Sequence, residues 1–226
     1  MNYFYYYSLI IFLICIIIFV PMNSLMSIKE TLTNKPNIIL IGDSMLNNSA
    51  YIDVDNNNKE QSIPGLIKES GTVTLYNYAK DGAVIDDCYS QIDHITTSTK
   101  DTICFISIGG NNIVNEYNKG IVDKQFINTL FQKYSKMALT IKRTFPKISI
   151  YLLNIYKPPN PKYSKLYDSI DQWNSLIGEF ARKNGFKIIQ TNILLTSADD
   201  FIYDYEPSKT GGQKITDAIL TSPVIN

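Results

Sequence analysis

An aliphatic run, Ile38-Ile39-Leu40-Ile41, stopped abruptly by Gly42-Asp43-Ser44, constrains this chain more than any other feature. An unbroken apolar run bounded by turn residues reads as a strand buried on both faces, and such strands belong to parallel sheets. In an open sheet of that kind, ligands and chemistry gather in the crevice beyond the carboxyl ends of the strands. Ser44 stands on that edge. Its hydroxyl can meet a substrate there while neighbouring backbone N–H groups face developing negative charge.

From residue 37 onward the pattern alternates strand and helix, the signature of a parallel sheet covered on both faces. Strands are predicted at 37–41, 73–76, 102–108, 148–153 and 186–189. Helices are predicted at 63–69, 85–95, 123–144 and 163–184, and a last one begins after Ser208 with Ile215, Ala218 and Ile219 at core spacing. Residues 51–61, rich in Asp and Asn, read as a polar loop close behind Ser44. Right-handed crossovers between five such strands predict an α/β fold, a flavodoxin-like three-layer αβα sandwich on a five-stranded parallel sheet.

The N-terminus is a separate element. Residues 3–22 carry no charge, and 9–20 are aliphatic or aromatic apart from Cys15. About twenty such residues suffice for a transmembrane helix, and Tyr3, Tyr5, Tyr6 and Tyr7 would form an interfacial belt at one end. A cleaved signal peptide is the competing reading, but no Lys or Arg precedes the apolar run and no small-x-small cleavage site follows it. The expected organisation is an anchor or signal segment at 1–22, a linker at 23–36 and one domain at 37–226. A lipid bilayer is then a partner through residues 3–22; Lys29, Glu30 and Lys35 are too few to fix the side on which the domain lies.

Lys plus Arg and Asp plus Glu both number 21, which leaves no electrostatic footprint for nucleic acid. Three cysteines make no disulfide framework. Cys104, in a predicted central strand, reads as a small core hydrophobe. No cofactor is implied. Asp199, Asp200, Asp204 and Glu206 are close in sequence but read as a solvated loop, and no metal site is expected.

Three strand exits carry residues suited to acyl transfer: Gly42-Asp43-Ser44, then Asp81-Gly82, then Gly109-Gly110-Asn111-Asn112. Ser44 would be the nucleophile, and the backbone N–H groups of Ser44 and Gly82 with the Asn111 carboxamide would make an oxyanion hole. Taken with Asp204-Tyr205-Glu206-Pro207-Ser208-Lys209-Thr210-Gly211, these blocks resemble the SGNH (GDSL-type) hydrolases, named for Ser, Gly, Asn and His in successive blocks. The likeness runs from about residue 37 to the C-terminus. It implies a flavodoxin-like fold and hydrolysis of carboxylic esters or of O-acetyl groups on glycans.

The last block departs from the family's Asp-x-x-His-Pro. Glu206 stands in the histidine position, Tyr203 in that of the aspartate, and Asn112 where the third block often has aspartate. The lone histidine, His94, falls on the helix after Gly82 and reads as a surface or structural residue. Glu206 would have to act as the base, and a Glu206–Asp204 pair sharing one proton could serve as both base and acid. An enzyme built in that way is expected to prefer acidic pH. The alternative is a catalytically silent, membrane-tethered domain that keeps the pocket for binding or as scaffold. Trp173 and Asn174 read as packing and solvated-face residues.

Overall fold

The computed structural model describes residues 35–52, 59–96, 99, 101–120 and 122–222; the span expected over 3–22 lies outside them. Among the described residues, no helix is long and apolar enough to cross a membrane. The sheet comprises β1 (Asn37–Gly42), β2 (Thr74–Asn77), β3 (Thr102–Ser107), β4 (Ser149–Leu153) and β5 (Lys187–Ile189) in the order β2-β1-β3-β4-β5. All four pairings are parallel. The strand ends fall within one or two residues of those predicted.

Alternation along β1 divides the core. Ile39 and Ile41 point to one face, where they meet α3 (Cys88–Asp93), α5 (Lys124–Thr144) and α6 (Tyr167–Asn184). Ile38 and Leu40 point to the other face and meet α2 (Ile63–Glu69) and α8 (Lys209–Leu220). This is the three-layer αβα arrangement. Each fully buried Ile or Leu contributes about 1.5–3 kcal/mol through removal from water.

Local sequence sets the helix limits. The Ser62, Asp123 and Ser208 side chains accept N–H groups of the first turns of α2, α5 and α8, and Gly185 closes α6 in a left-handed conformation. Four pieces had no strong periodicity to announce them. These are α1 (Ser49–Ile52), α4 (Gly110–Tyr117), α7 (Thr191–Leu194) and a two-stranded hairpin of β6 (Phe201–Ile202) and β7 (Glu206–Pro207). The first two residues of the expected 51–61 loop belong to α1, and Lys59–Gln61 is a 3-10 turn.

The order of the strands locates the crevice. From β1 the chain moves first to β2 on one side and later to β3 on the other, so the strand order reverses at β1. Ser44, Gly82 and Asn111 follow β1, β2 and β3 respectively, at the same end of three adjacent strands.

Candidate active site

The exit from β1 is built on Gly42. Its φ of 137° is closed to L side chains, and a Cβ there would lie 1.7 Å from the Ser107 carbonyl oxygen. The Gln91 carboxamide takes both of its polar groups, accepting the Gly42 N–H at 2.7 Å and donating to the Gly42 carbonyl at 2.9 Å. Asp43 N–H then bonds the Ser107 carbonyl at 3.0 Å, and the chain turns as Leu46 N–H reaches the Asp43 carbonyl at 3.1 Å. Gly42→Ala is therefore expected to cost at least about 3 kcal/mol, read as a fall in the unfolding midpoint by thermal denaturation.

Two donors at this edge are unspent. Among the described residues, the Ser44 and Gly82 N–H groups have no protein acceptor. Gly82, at φ 72°, occupies the turn closed by Ala83 N–H to the Lys80 carbonyl at 3.1 Å, and it lies open to solvent. Asn111, in the first turn of α4, donates one Nδ2 hydrogen to the Ala83 carbonyl at 3.0 Å, which leaves its second hydrogen available. Asn112 accepts Ile85 N–H at 3.1 Å, so both asparagines stitch the start of α4 to the β2 exit.

The carboxylate arrives on β7. Tyr203 and Asp204, with φ of 48° and 75°, form the tight left-handed turn that pairs β7 with β6. Buried Asn48 holds the strand, donating to the Pro207 carbonyl at 3.2 Å while accepting Ile63 N–H at 2.8 Å. The Tyr156 hydroxyl donates to the Tyr205 carbonyl on the approach to Glu206. Glu206 is only 5% exposed. Burial pushes its carboxyl up to about 7, the Ser44 hydroxyl beside it draws it back, the Asp81 charge raises it, and the Tyr51 hydroxyl lowers it. Asp43 is likewise pushed up to about 7, chiefly by burial, with Met45 N–H opposing and the Glu206 charge adding to the rise.

Asp204 does not join them. Its oxygens are taken by the Lys162 ammonium and by Asn160 Nδ2 at 2.6 Å, and those contacts, Lys162 first, hold it below the usual carboxylate range. The expected Glu206–Asp204 pair is thus replaced by an exposed ion pair, because the left-handed turn carries Asp204 toward Lys162. The four nearby acids do not form a solvated cluster either. Asp200 is fully buried and pairs with Lys214 at 2.7 Å.

Beside Ser44 a cavity of about 60 Å³ is lined by Ile113, Val114, Ile155, Tyr156, Leu166 and Ile170, with Asp43, Ser44 and Asn111 as its polar wall. Mostly apolar walls with a few convergent polar groups are usual for a small-molecule site. His94 lies apart, exposed and stacked on Tyr78 with centroids 6.3 Å apart.

Residues 38–222 match the model of the GDSL-like lipase/acylhydrolase family. The chain belongs to that family. None of the curated proteins matches it in sequence. Solved GDSL-fold neighbours include a lipolytic protein of the G-D-S-L family from Veillonella parvula, 17% identical with a TM-score of 0.65 over 82% of this chain and 97% of that one. A phospholipase A1 from Streptomyces albidoflavus is 14% identical, TM-score 0.61, covering 84% and 99%. An acetylxylan esterase from Geobacillus stearothermophilus is 13% identical, TM-score 0.62, covering 84% and 96%.

Within this GDSL-family site, sequence reading missed Tyr51, Asp81, Asn48, Gln91 and Asn174. Asn174 is not a solvated-face residue: it accepts Ile155 N–H at 2.9 Å and donates to the Ile155 carbonyl at 2.7 Å, fixing the cavity wall after β4. Gln91 does the same for Gly42. Carboxamides clamping a distant backbone leave no local pattern. Only Asp81, adjacent to Gly82, carried a positional hint.

Proposed function

We propose that the protein is a carboxylic ester hydrolase in which Ser44 is the nucleophile and Glu206 the base. What supports this reading is a buried carboxyl, Glu206, that burial pushes up to about 7 with the buried Ser44 hydroxyl among the groups acting on it. A glutamate at its ordinary value is a poor base for a serine hydroxyl at neutral pH, whereas one near 7 exists in both forms there. Ser44 Oγ attacks the ester carbonyl carbon as its proton passes to Glu206. The resulting oxyanion is met by the Ser44 and Gly82 N–H groups and the free Asn111 Nδ2 hydrogen. Protonated Glu206 then gives its proton to the departing alkoxide. In the second half, Glu206 deprotonates a water that attacks the acyl-enzyme, and the returning proton restores Ser44.

The apolar cavity beside Ser44 suits the acyl part of a small carboxylic ester; an O-acetyl group on a glycan would place only a methyl there. The N-terminal segment would tether the domain to a bilayer through residues 3–22. With Glu206 as base and Asp204 committed elsewhere, activity should lie near neutral to mildly alkaline pH and not in the acidic range.

Hydrolysis of a p-nitrophenyl ester by the full-length chain across pH 4–9 tests the reading, with Asn111→Ala alongside. Asn111→Ala is expected to lower kcat by about 10²–10³-fold with KM little changed. One observation favours a second reading, the catalytically silent domain: the family's imidazole is replaced by Glu206. Absence of turnover at every pH, with ligand binding indifferent to Ser44→Ala, would establish it instead.

A further inference from the structure

The net charge is zero, but the cations are not spread evenly. Because every strand pairing is parallel, the amino ends of the strands share one edge of the sheet, opposite the edge that carries Ser44, Gly82 and Asn111. At that edge α5 and α6 end in Lys142-Arg143 and Arg182-Lys183, Lys147 precedes β4, and β5 begins at Lys187. The Lys142 ammonium ties the two helix ends together, donating to the Asn184 carbonyl and lying 5.2 Å from the centroid of the Phe186 ring. Lys142 and Lys187 line one depression of about 210 Å³ with Pro146, Ile148 and Phe186. Helix dipoles account for cations in the last turns of α5 and α6, but not for Lys147 or Lys187 at the strand starts. All but Lys187 are exposed, and among the described residues none of the six forms an ion pair. The acids nearest along the chain, Asp101 before β3 and Glu179 one turn before Arg182, do not neutralise them.

We propose that this basic corner docks on an anionic lipid surface and turns the active site away from the bilayer. It rests on residues 3–22 being the tether proposed above. Chain path and charge complementarity choose the occupant. β1 begins at Asn37, so the linker expected at 23–36 joins the domain on the same edge as the cations. A tether keeps the domain at high effective concentration near the headgroups but leaves its orientation free. Each Lys or Arg close to a negatively charged leaflet strengthens binding about fivefold, so the corner supplies the orientation that the tether lacks. The depression between Lys142 and Lys187 receives a headgroup phosphate. Ser44 and Glu206 then face the aqueous phase, and the ester they meet is soluble or glycan-borne, not a phospholipid of the same bilayer.

The full-length chain is reconstituted into phosphatidylcholine vesicles with and without phosphatidylserine, and acylation of its lysines by an N-hydroxysuccinimide ester is followed by mass spectrometry. Lys142, Lys147, Lys183 and Lys187 should react at least about fivefold more slowly on the anionic vesicles. Lys80, after β2, and Lys124, at the start of α5, should be unchanged. Salt at about 0.5 M should erase the difference by screening. The variant R143Q/K147Q/R182Q, with its fold checked by its unfolding midpoint, should restore the reactivity of Lys142, Lys183 and Lys187. Equal reactivity on both vesicles, protection of Lys80 and Lys124 instead, or protection that inorganic phosphate confers on neutral vesicles overturns the proposal. Alkaline extraction that frees the chain from both vesicles would sink the tether alone. Co-sedimentation with anionic vesicles then decides for the corner: binding weakened about 10²-fold by the three substitutions upholds it, and no binding overturns it.

Discussion

Ser44→Ala is expected to reduce kcat/KM for a small carboxylic ester by about 10⁴-fold or more and to abolish covalent capture by a fluorophosphonate. With Ser44 as the proposed nucleophile, the size follows from removing the atom that would form the acyl-enzyme, which leaves only oriented donors and binding to assist water. The fold should tolerate the change. Among the described residues Ser44 makes no helix cap or strand pairing, and the turn after β1 is held by Gly42, Asp43 and Gln91 through backbone and carboxamide bonds. Unfolding midpoints within about 1 kcal/mol of wild type, together with lost turnover, would separate chemistry from stability.

Glu206→Gln is expected to do two opposite things. Ester turnover should fall by about 10²–10⁴-fold, the usual worth of general acid–base catalysis, because an amide neither accepts the Ser44 proton nor returns one. Stability above pH 7 should rise. The folded-state carboxyl sits near 7 against an ordinary value of 4.5. Between those values the folded chain binds more protons than the unfolded one, so wild-type stability falls as pH climbs through that window. Asp43, raised from 3.8 to about 7, adds to the same slope. Glutamine removes the Glu206 part of it, a gain of about 1–3 kcal/mol at pH 8 that shrinks toward pH 4. Chemical denaturation of wild type and variant at both pH values measures the difference. A variant less stable than wild type at pH 8 would mean that the carboxylate is well solvated or paired, and the proposed base would lose its physical ground.

The division between what the chain announced and what it concealed has a physical cause. The central strands β1, β3 and β4 were legible because buried parallel strands are continuous apolar runs, and Gly42-Asp43-Ser44 marks one end of such a run unmistakably. The long helices were legible from apolar periodicity, and the last one also from Ser208 just before it. The start of α4 at Gly110 was hidden because Gly109-Gly110-Asn111-Asn112 has turn composition, although the same residues had been singled out for chemistry. Likewise the hairpin of Phe201–Ile202 with Glu206–Pro207 is too short to show a period. The pairing of Glu206 with Asp204 failed for a different reason. Nearness in sequence says nothing of direction, and two left-handed residues in succession turn Asp204 toward Lys162 while Glu206 faces inward. Tyr51, on α1, and Asp81, after β2, lie 30 residues apart, and only the fold brings the phenol to that aspartate.

The most direct measurement is the rate at which a fluorophosphonate labels Ser44 in the full-length chain from pH 4 to 9. A rate that climbs with a single midpoint close to neutrality, and that collapses in Glu206→Gln, is the expected result. A serine that stays unlabelled throughout, or a pH profile identical in the two proteins, would show that the glutamate does not activate it.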